Sequence, residues 1–346
     1  MQRLALLALM VAAATVLGGA ARAGDGPSAP TVRVWTISYR AHNGWLRRAY
    51  VLVPARYGRQ RPATLPLVIS PHGRGLTGST NAGIWRDLPA QGDFAVVSPD
   101  GQGRRLGRYS WGYAGQIRDL ARMPRLVGQA LPWLKVDREQ VYAFGGSMGG
   151  QEALLLAARF PRLLAGAAAF DAVTDLALQY RAFPRVPCAW RCRQLWPGSL
   201  GHALQQLARH EVGGTPWQVP RSYATRSPMA HAAALALACI PLQIWWSNAD
   251  RTIDQQLHSR RLFWEIRRLN PSAPVHGFVG WWIHTTAMRA GARLPLALAT
   301  FGLLPWPERP LGSLWVIEPD ESQLDCDGSE DTGVPSERPV PARGPG

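Results

Sequence analysis

Six consecutive residues, Gly145-Gly146-Ser147-Met148-Gly149-Gly150, set a serine between glycines two positions away on either side. A serine hydroxyl exposed for attack stands on a sharp strand-to-helix turn, which strains the backbone at the serine and crowds the positions two residues away. The flanks suit such a turn, with an apolar run ending at Phe144 and a stretch rich in alanine and leucine running from Met148 to Arg159. The hydroxyl is a poor nucleophile at neutral pH until a base takes its proton, and the base needs an acid to fix its tautomer. Of the eight histidines, six follow Ser147, and His284 alone sits just after the last predicted strand, in Gly280-Trp281-Trp282-Ile283-His284. His276 falls inside that strand, His258 inside a predicted helix, and His202, His210 and His231 in an irregular region. Asp250 follows a strand-like run after the turn Ser247-Asn248-Ala249 and is the candidate acid. Asp171, at the end of the preceding strand, is a second location for it, while Asp254 fits the first turn of a helix, where a carboxylate complements the dipole.

Attack by serine on a carbonyl creates an oxyanion, which backbone N–H groups usually stabilise. Met148, next to the nucleophile, supplies one donor. The loop His72-Gly73-Arg74-Gly75 is expected to supply another through Arg74, with Gly75 next, and His72 to brace the loop. Trp111, Tyr113, Trp281 and Trp282 are expected near the predicted site and are candidate substrate-stacking groups. No second ligand pair accompanies Cys188-x-x-x-Cys192, so neither a metal site nor a cofactor is expected.

Strands alternating with helices must hold these residues. Residues 32–38 and 46–53 are rich in β-formers and flank Asn43-Gly44, a strong hairpin signal. Short apolar strands are expected at 67–69, 94–97, 140–144, 163–170, 241–246 and 275–279, and helices at 117–134, 148–159 and 252–269. Such alternation predicts a mostly parallel sheet covered on both faces, with its chemistry at the carboxyl ends of the strands. Between 171 and 238 the rhythm breaks, and an insertion of that length is expected to form a lid or pocket wall.

The chain has 346 residues, 47% of them apolar and 18% charged, enough for one large core. Its net charge of +15 is carried almost wholly by scattered arginines, with Lys135 the single lysine. Lacking zinc-finger spacing or an aromatic-basic signature, the chain is not expected to bind nucleic acid. Residues 1–23 combine Arg3, an apolar run and the small-x-small ending Ala21-Arg22-Ala23, the pattern of a cleavable export signal. The mature chain is then expected from Gly24, secreted or extracytoplasmic and without stable membrane insertion. Export permits disulfides, and Cys188 with Cys192 is the obvious local pair. Cys239 is expected to be a core thiol, and residues 318–346, acidic and then rich in proline and glycine, a disordered tail.

Ser147, Asp250 and His284 in that chain order, with the H-G-x-G loop, resemble the α/β-hydrolase superfamily over roughly residues 32–304. Within it, residues 141–170 and 241–250 resemble the prolyl oligopeptidase catalytic domain and related secreted esterases of the feruloyl esterase and polyhydroxybutyrate depolymerase types. The resemblance implies an α/β-hydrolase catalytic domain at 31–310, with 171–238 a lid-like insertion, and hydrolysis of an ester or short-peptide bond through an acyl-serine. At this length the chain is not expected to carry the β-propeller of true prolyl oligopeptidases. An acyltransferase on the same fold, or a noncatalytic binding protein on this scaffold, are the rival readings.

Overall fold

The computed structural model of the protein describes residues 31–105, 107, 110–186, 200–289, 293–307 and 314–319. The export signal at 1–23, Cys188, Cys192, Cys326 and all of the tail except 318–319 lie outside the described residues. Among the described residues no helix is long and apolar enough to cross a membrane.

Asn43-Gly44 makes the expected turn, Gly44 at φ 84°, and joins β1 (Val32–Arg40) to β2 (Leu46–Pro54) in an antiparallel pair. Then follow β3 (Ala63–Ile69), β4 (Ala95–Pro99), β5 (Leu134–Gly146), β6 (Gly166–Phe170), β7 (Leu242–Ser247), β8 (Val275–Gly280) and β9 (Trp315–Ile317). They form one sheet in the order β1-β2-β4-β3-β5-β6-β7-β8-β9. From β4 to β8 the neighbours are parallel; β2 meets β4, and β9 meets β8, antiparallel. The near-continuous apolar runs follow from this, because a strand covered by helices on both faces has no solvent side to mark with polar residues. Val68, Phe144, Phe170 and Trp245 fill one face, and Leu67, Ile69, Ala143 and Ile244 the other.

Two helices differ from expectation. The stretch expected at 117–134 divides into Ala114–Ala121 and Met123–Ala130, because Pro124 fits only the first turn of a new helix, and Leu134 already begins β5. The helix expected from residue 252 is Ser259–Leu269. Asp250 causes this delay, since its Oδ1 accepts the N–H groups of Thr252 (2.8 Å) and Ile253 (3.1 Å) and bends the chain into a turn. Asp254 therefore lies before the helix, not on its first turn.

The inserted region is a docked wall with a core of its own, in which Leu176, Tyr180, Phe183, Leu204, Val212 and Tyr223 pack on Trp111 and Met148 of the body. Glu211 and Arg226 form a buried ion pair at 3.3 Å. Both also reach outside the insertion. Glu211 accepts the N–H groups of Arg104 and Arg105, the latter at 2.8 Å, and Arg226 donates to the carbonyl of Ser110 at 2.6 Å. Burial pulls the Arg226 guanidinium below its ordinary pKa, even though Glu211 opposes the shift. Removing one partner of such a pair strands the other charge in the interior, at a cost of about 3–5 kcal/mol. Arg226→Met is therefore expected to lower stability by about 3 kcal/mol in urea unfolding, and a second change, Glu211→Gln, to restore part of it. An Arg226→Met protein as stable as wild type would show that the pair does not anchor the wall.

Glu152, on the helix Met148–Arg159, is wholly buried beneath the site, with the Ser110 hydroxyl donating to its carboxylate. Burial raises its pKa from 4.5 to about 7, against the pull of hydrogen bonds from Ser110 and Gln116. A carboxyl that holds its proton more tightly when folded stabilises the protein fully below its unfolded value, and that contribution is lost as pH rises through about 7. Glu152→Gln is thus expected to gain on wild type as pH rises from 4.5 to 8, reaching about 3 kcal/mol. Parallel stability–pH curves for the two proteins would refute this.

Candidate active site

β5 ends at Gly146 and the helix Met148–Arg159 begins at once, so Ser147 carries the whole change of direction at φ 58° and ψ −122°. A left-handed, non-glycine residue of this kind costs about 1–3 kcal/mol and persists only where its surroundings hold it. Its N–H is held by the carbonyl of Phe170 at 2.8 Å, at the end of the neighbouring β6. The glycines two residues away on each side are sterically required. A Cβ on Gly145 would lie 2.3 Å from the backbone of Gly149, and one on Gly149 would lie 2.3 Å from the carbonyl oxygen of Pro71.

The turns after β7 and β8 bring the other two residues in. His284 Nδ1 lies 2.7 Å from Asp250 Oδ2, and the Asp250 side chain is fully buried. Gln255 donates to the same oxygen at 3.0 Å. Burial alone would raise the Asp250 pKa, but hydrogen bonds from His284, Gln255 and Thr252 outweigh it and hold the carboxyl below its ordinary value. An ionised Asp250 makes Nδ1 the protonated ring nitrogen and leaves Nε2 as the acceptor. Ser147 and His284 line the same cavity of about 300 Å³. Val186, Leu200 and Leu204 of the insertion line it too, with Ile283 and Met288.

Met148 is the first residue of its helix, where N–H groups have no intrahelical acceptor. Opposite runs the loop after β3. A Cβ on Gly73 would lie 3.3 Å from the carbonyl oxygen of Gly146 and 3.9 Å from Ser147 Cβ, and Arg74 lines the cavity. Gly75, at φ 82°, belongs to the turn beyond, closed by Leu76 N–H to Gly73 at 3.2 Å, and does not line the cavity. The close approach to Ser147 is made by Gly73, a residue that sequence reasoning passed over although it stands in the glycine-rich loop. His72 braces this loop, its Nε2 accepting from Gly101 N–H at 2.9 Å and its Nδ1 lying 2.9 Å from the carbonyl of Gly73.

The aromatic expectation needs correcting, because none of the four residues lines the cavity. Trp111 is buried against Phe183, with ring centroids 5.4 Å apart, in the core beneath the insertion. Tyr113 lies under the Arg226 guanidinium, 5.0 Å from its ring centroid. Trp282 is buried with its indole N–H on Asp171. Trp281 is exposed, but on a separate groove with Trp264 and Arg260. Of the two tryptophans next to His284 in sequence, Trp282 serves as packing and Trp281 stays exposed outside the cavity.

Asp171 lies close to both partners. Carboxylate oxygens of Asp171 and Asp250 and a ring nitrogen of His284 all fall within 4.8 Å of one another. Yet Asp171 bonds the chain around His284, accepting from Trp282 Nε1 at 2.8 Å and from Thr285 N–H at 2.7 Å. Burial and the neighbouring Asp250 push its pKa to about 6, while His284 and the two donors pull the other way. Three ligand atoms of this kind could in geometry receive a cation, but the 2.7 Å bond between His284 and Asp250 already uses two of them.

No family profile matches the chain. It is 26% identical over 239 residues to YtmA of Bacillus subtilis (strain 168), named an uncharacterized peptidase, covering 69% of this chain and 81% of that one. Its fold is similar to that of EstE1, a thermophilic carboxylesterase cloned from a metagenomic library (TM-score 0.56, 18% identity, 79% of this chain and 90% of that one). It is also similar to puromycin hydrolase (TM-score 0.56, 16% identity), with 84% of this chain matching 43% of that larger protein. S-formylglutathione hydrolase FrmB of Staphylococcus aureus is similar over 81% of this chain and its own full length (TM-score 0.52, 15% identity).

Proposed function

We propose, from the α/β-hydrolase fold that the chain shares with these structures, that it is a serine hydrolase cleaving a small ester or short-peptide bond. The observation that supports this best is that Ser147, on its strained turn, and His284, bonded through Nδ1 to buried Asp250, open onto one cavity. Ser147 Oγ attacks the substrate carbonyl as its proton passes to His284 Nε2, and the negative charge formed on the carbonyl oxygen falls among N–H groups of Met148 and the 73–74 loop. His284 then gives that proton to the leaving alcohol or amine. Water, deprotonated by His284 in turn, attacks the acyl-serine and releases the acid.

A volume of about 300 Å³ is at the small end for ligand sites. The apolar lining suits a short acyl chain or a compact leaving group. The reading extends to location: the pattern in residues 1–23 supports export, with a mature chain from Gly24. The test is hydrolysis of p-nitrophenyl esters of increasing acyl length beside aminoacyl and prolyl p-nitroanilides, using protein recovered from the culture medium and sequenced at its N-terminus. Turnover that falls beyond short acyl chains, by protein beginning at Gly24, is expected. Turnover of neither substrate class would sink the hydrolase reading, and an intact Met1 would sink the export reading.

A further inference from the structure

We infer that Asp171, together with the Ser247 hydroxyl, is a positioning group that clasps the His284 loop to the Asp250 loop; this rests on the serine hydrolase reading of the same site. The acyl-transfer scheme gives Asp171 no proton to carry, yet it is a fully buried carboxylate at the heart of the site.

Its contacts are specific. Trp282 Nε1 and Thr285 N–H, on either side of His284, donate to Oδ2, and Ser247 N–H donates to Oδ1 at 3.0 Å. Ser247 ends β7, three residues before Asp250. Its hydroxyl donates to the carbonyl of Trp282 at 2.6 Å and accepts N–H groups from Trp282 at 2.8 Å and Ala249 at 3.0 Å. Two side chains therefore tie together the turns that follow β6, β7 and β8. This knot would fix the separation of His284 from Asp250 more tightly than their single hydrogen bond could.

Backbone strain marks the same residues. Asp171 (φ 46°) and Thr285 (φ 56°) are both left-handed non-glycine residues, and they are bonded to each other. Such conformations persist where surrounding contacts over-determine them, and they collect at sites that need fixed geometry. Charge adds a second role. His284 and Asp250 are the titratable groups facing Asp171. An ionised Asp171 within 4.8 Å favours the protonated imidazole that forms during acyl transfer.

Asp171→Asn and Trp282→Phe test this on the full mature chain with p-nitrophenyl acetate. Misplacing a catalytic group by about 1 Å costs on the order of 100-fold in rate. Asp171→Asn is expected to lower kcat by roughly 30- to 100-fold with KM within about threefold. Its acidic kcat/KM limb should move to lower pH by about half a unit, because a nearby anion is gone. Trp282→Phe keeps the carboxyl and removes one tie, so kcat should fall about tenfold. Turnover within about twofold of wild type in both variants overturns the clasp, as does a loss confined to KM with the limb unmoved. If Asp171→Asn fails to fold, Trp282→Phe decides: a tenfold loss in kcat supports the clasp and an unchanged kcat overturns it. A fluorophosphonate separates the two levels of the argument. Failure to label Ser147 of the wild type defeats the hydrolase reading, whereas equal labelling rates for wild type and both variants defeat only the clasp.

Discussion

Ser147→Ala should lose turnover of p-nitrophenyl acetate by about 10⁵- to 10⁶-fold while its thermal unfolding stays close to wild type. That corresponds to about 7–8 kcal/mol of barrier, far more than a positioning defect can cost. The small methyl fits where the hydroxyl stood, and the strain at φ 58° is a backbone property that alanine shares with serine. Mass spectrometry of fluorophosphonate-treated protein provides the second check, with one adduct expected on the peptide holding Ser147 and none on the variant. Retention of more than about 1% of turnover would mean that another group attacks the substrate.

Asp250→Asn should cost about 10⁴-fold in kcat through the imidazole tautomer. In the native site Oδ2 accepts from His284 Nδ1, so the free lone pair of the ring is on Nε2, which can take a proton. An amide can turn its NH₂ toward Nδ1, which forces the ring proton to Nε2 and leaves nothing basic to receive the serine proton. In that orientation the amide oxygen keeps Thr252 and Ile253, but the NH₂ meets the Gln255 amide that donates to the native Oδ2, so some fall in stability should accompany the loss of rate. The ionised state of Asp250, lower in pKa when folded, stabilises the protein above the usual carboxylate range, and this is lost as pH falls. The acid branch of the stability curve should therefore be shallower in the variant. Activity within tenfold of wild type would transfer the orienting role to Asp171.

Ser147, Asp250 and His284 were legible as candidates because each follows a strand, and the structure places them at the ends of β5, β7 and β8. Asn43-Gly44 likewise announced the first hairpin, and the unbroken apolar runs announced a sheet covered on both faces. Other features depend on contacts between distant residues. A tryptophan near a candidate site residue reads the same whether it lines a cavity or packs beneath it, and Trp111 is buried by the insertion while Trp282 is buried among Trp245, Phe278 and Met288. The late start of the helix at Ser259 was hidden because the Asp250 side chain, not a breaker residue, captures the N–H groups that would have begun it. Strand β9 is three residues long and gains its order from the edge of β8. Asp171 could be seen as a candidate acid, but its bonds to Trp282 and Thr285 span more than a hundred residues.

The ion pair between Glu211 and Arg226 also sets a rule for chimaeras. Both residues belong to the inserted wall, whereas the groups they hold, the N–H groups of Arg104 and Arg105 and the carbonyl of Ser110, belong to the host. The host adds side chains to this joint: the Tyr113 ring lies 5.0 Å from the Arg226 guanidinium, and Arg104 Nε and Gln151 Nε2 donate to the carbonyls of Glu211 and Arg226 at 3.1 Å and 2.6 Å. A wall transplanted from a related protein would thus dock only where the host supplies Arg104, Tyr113 and Gln151 as well as the backbone of that loop, so exchange of this segment carries a matching requirement on its neighbours.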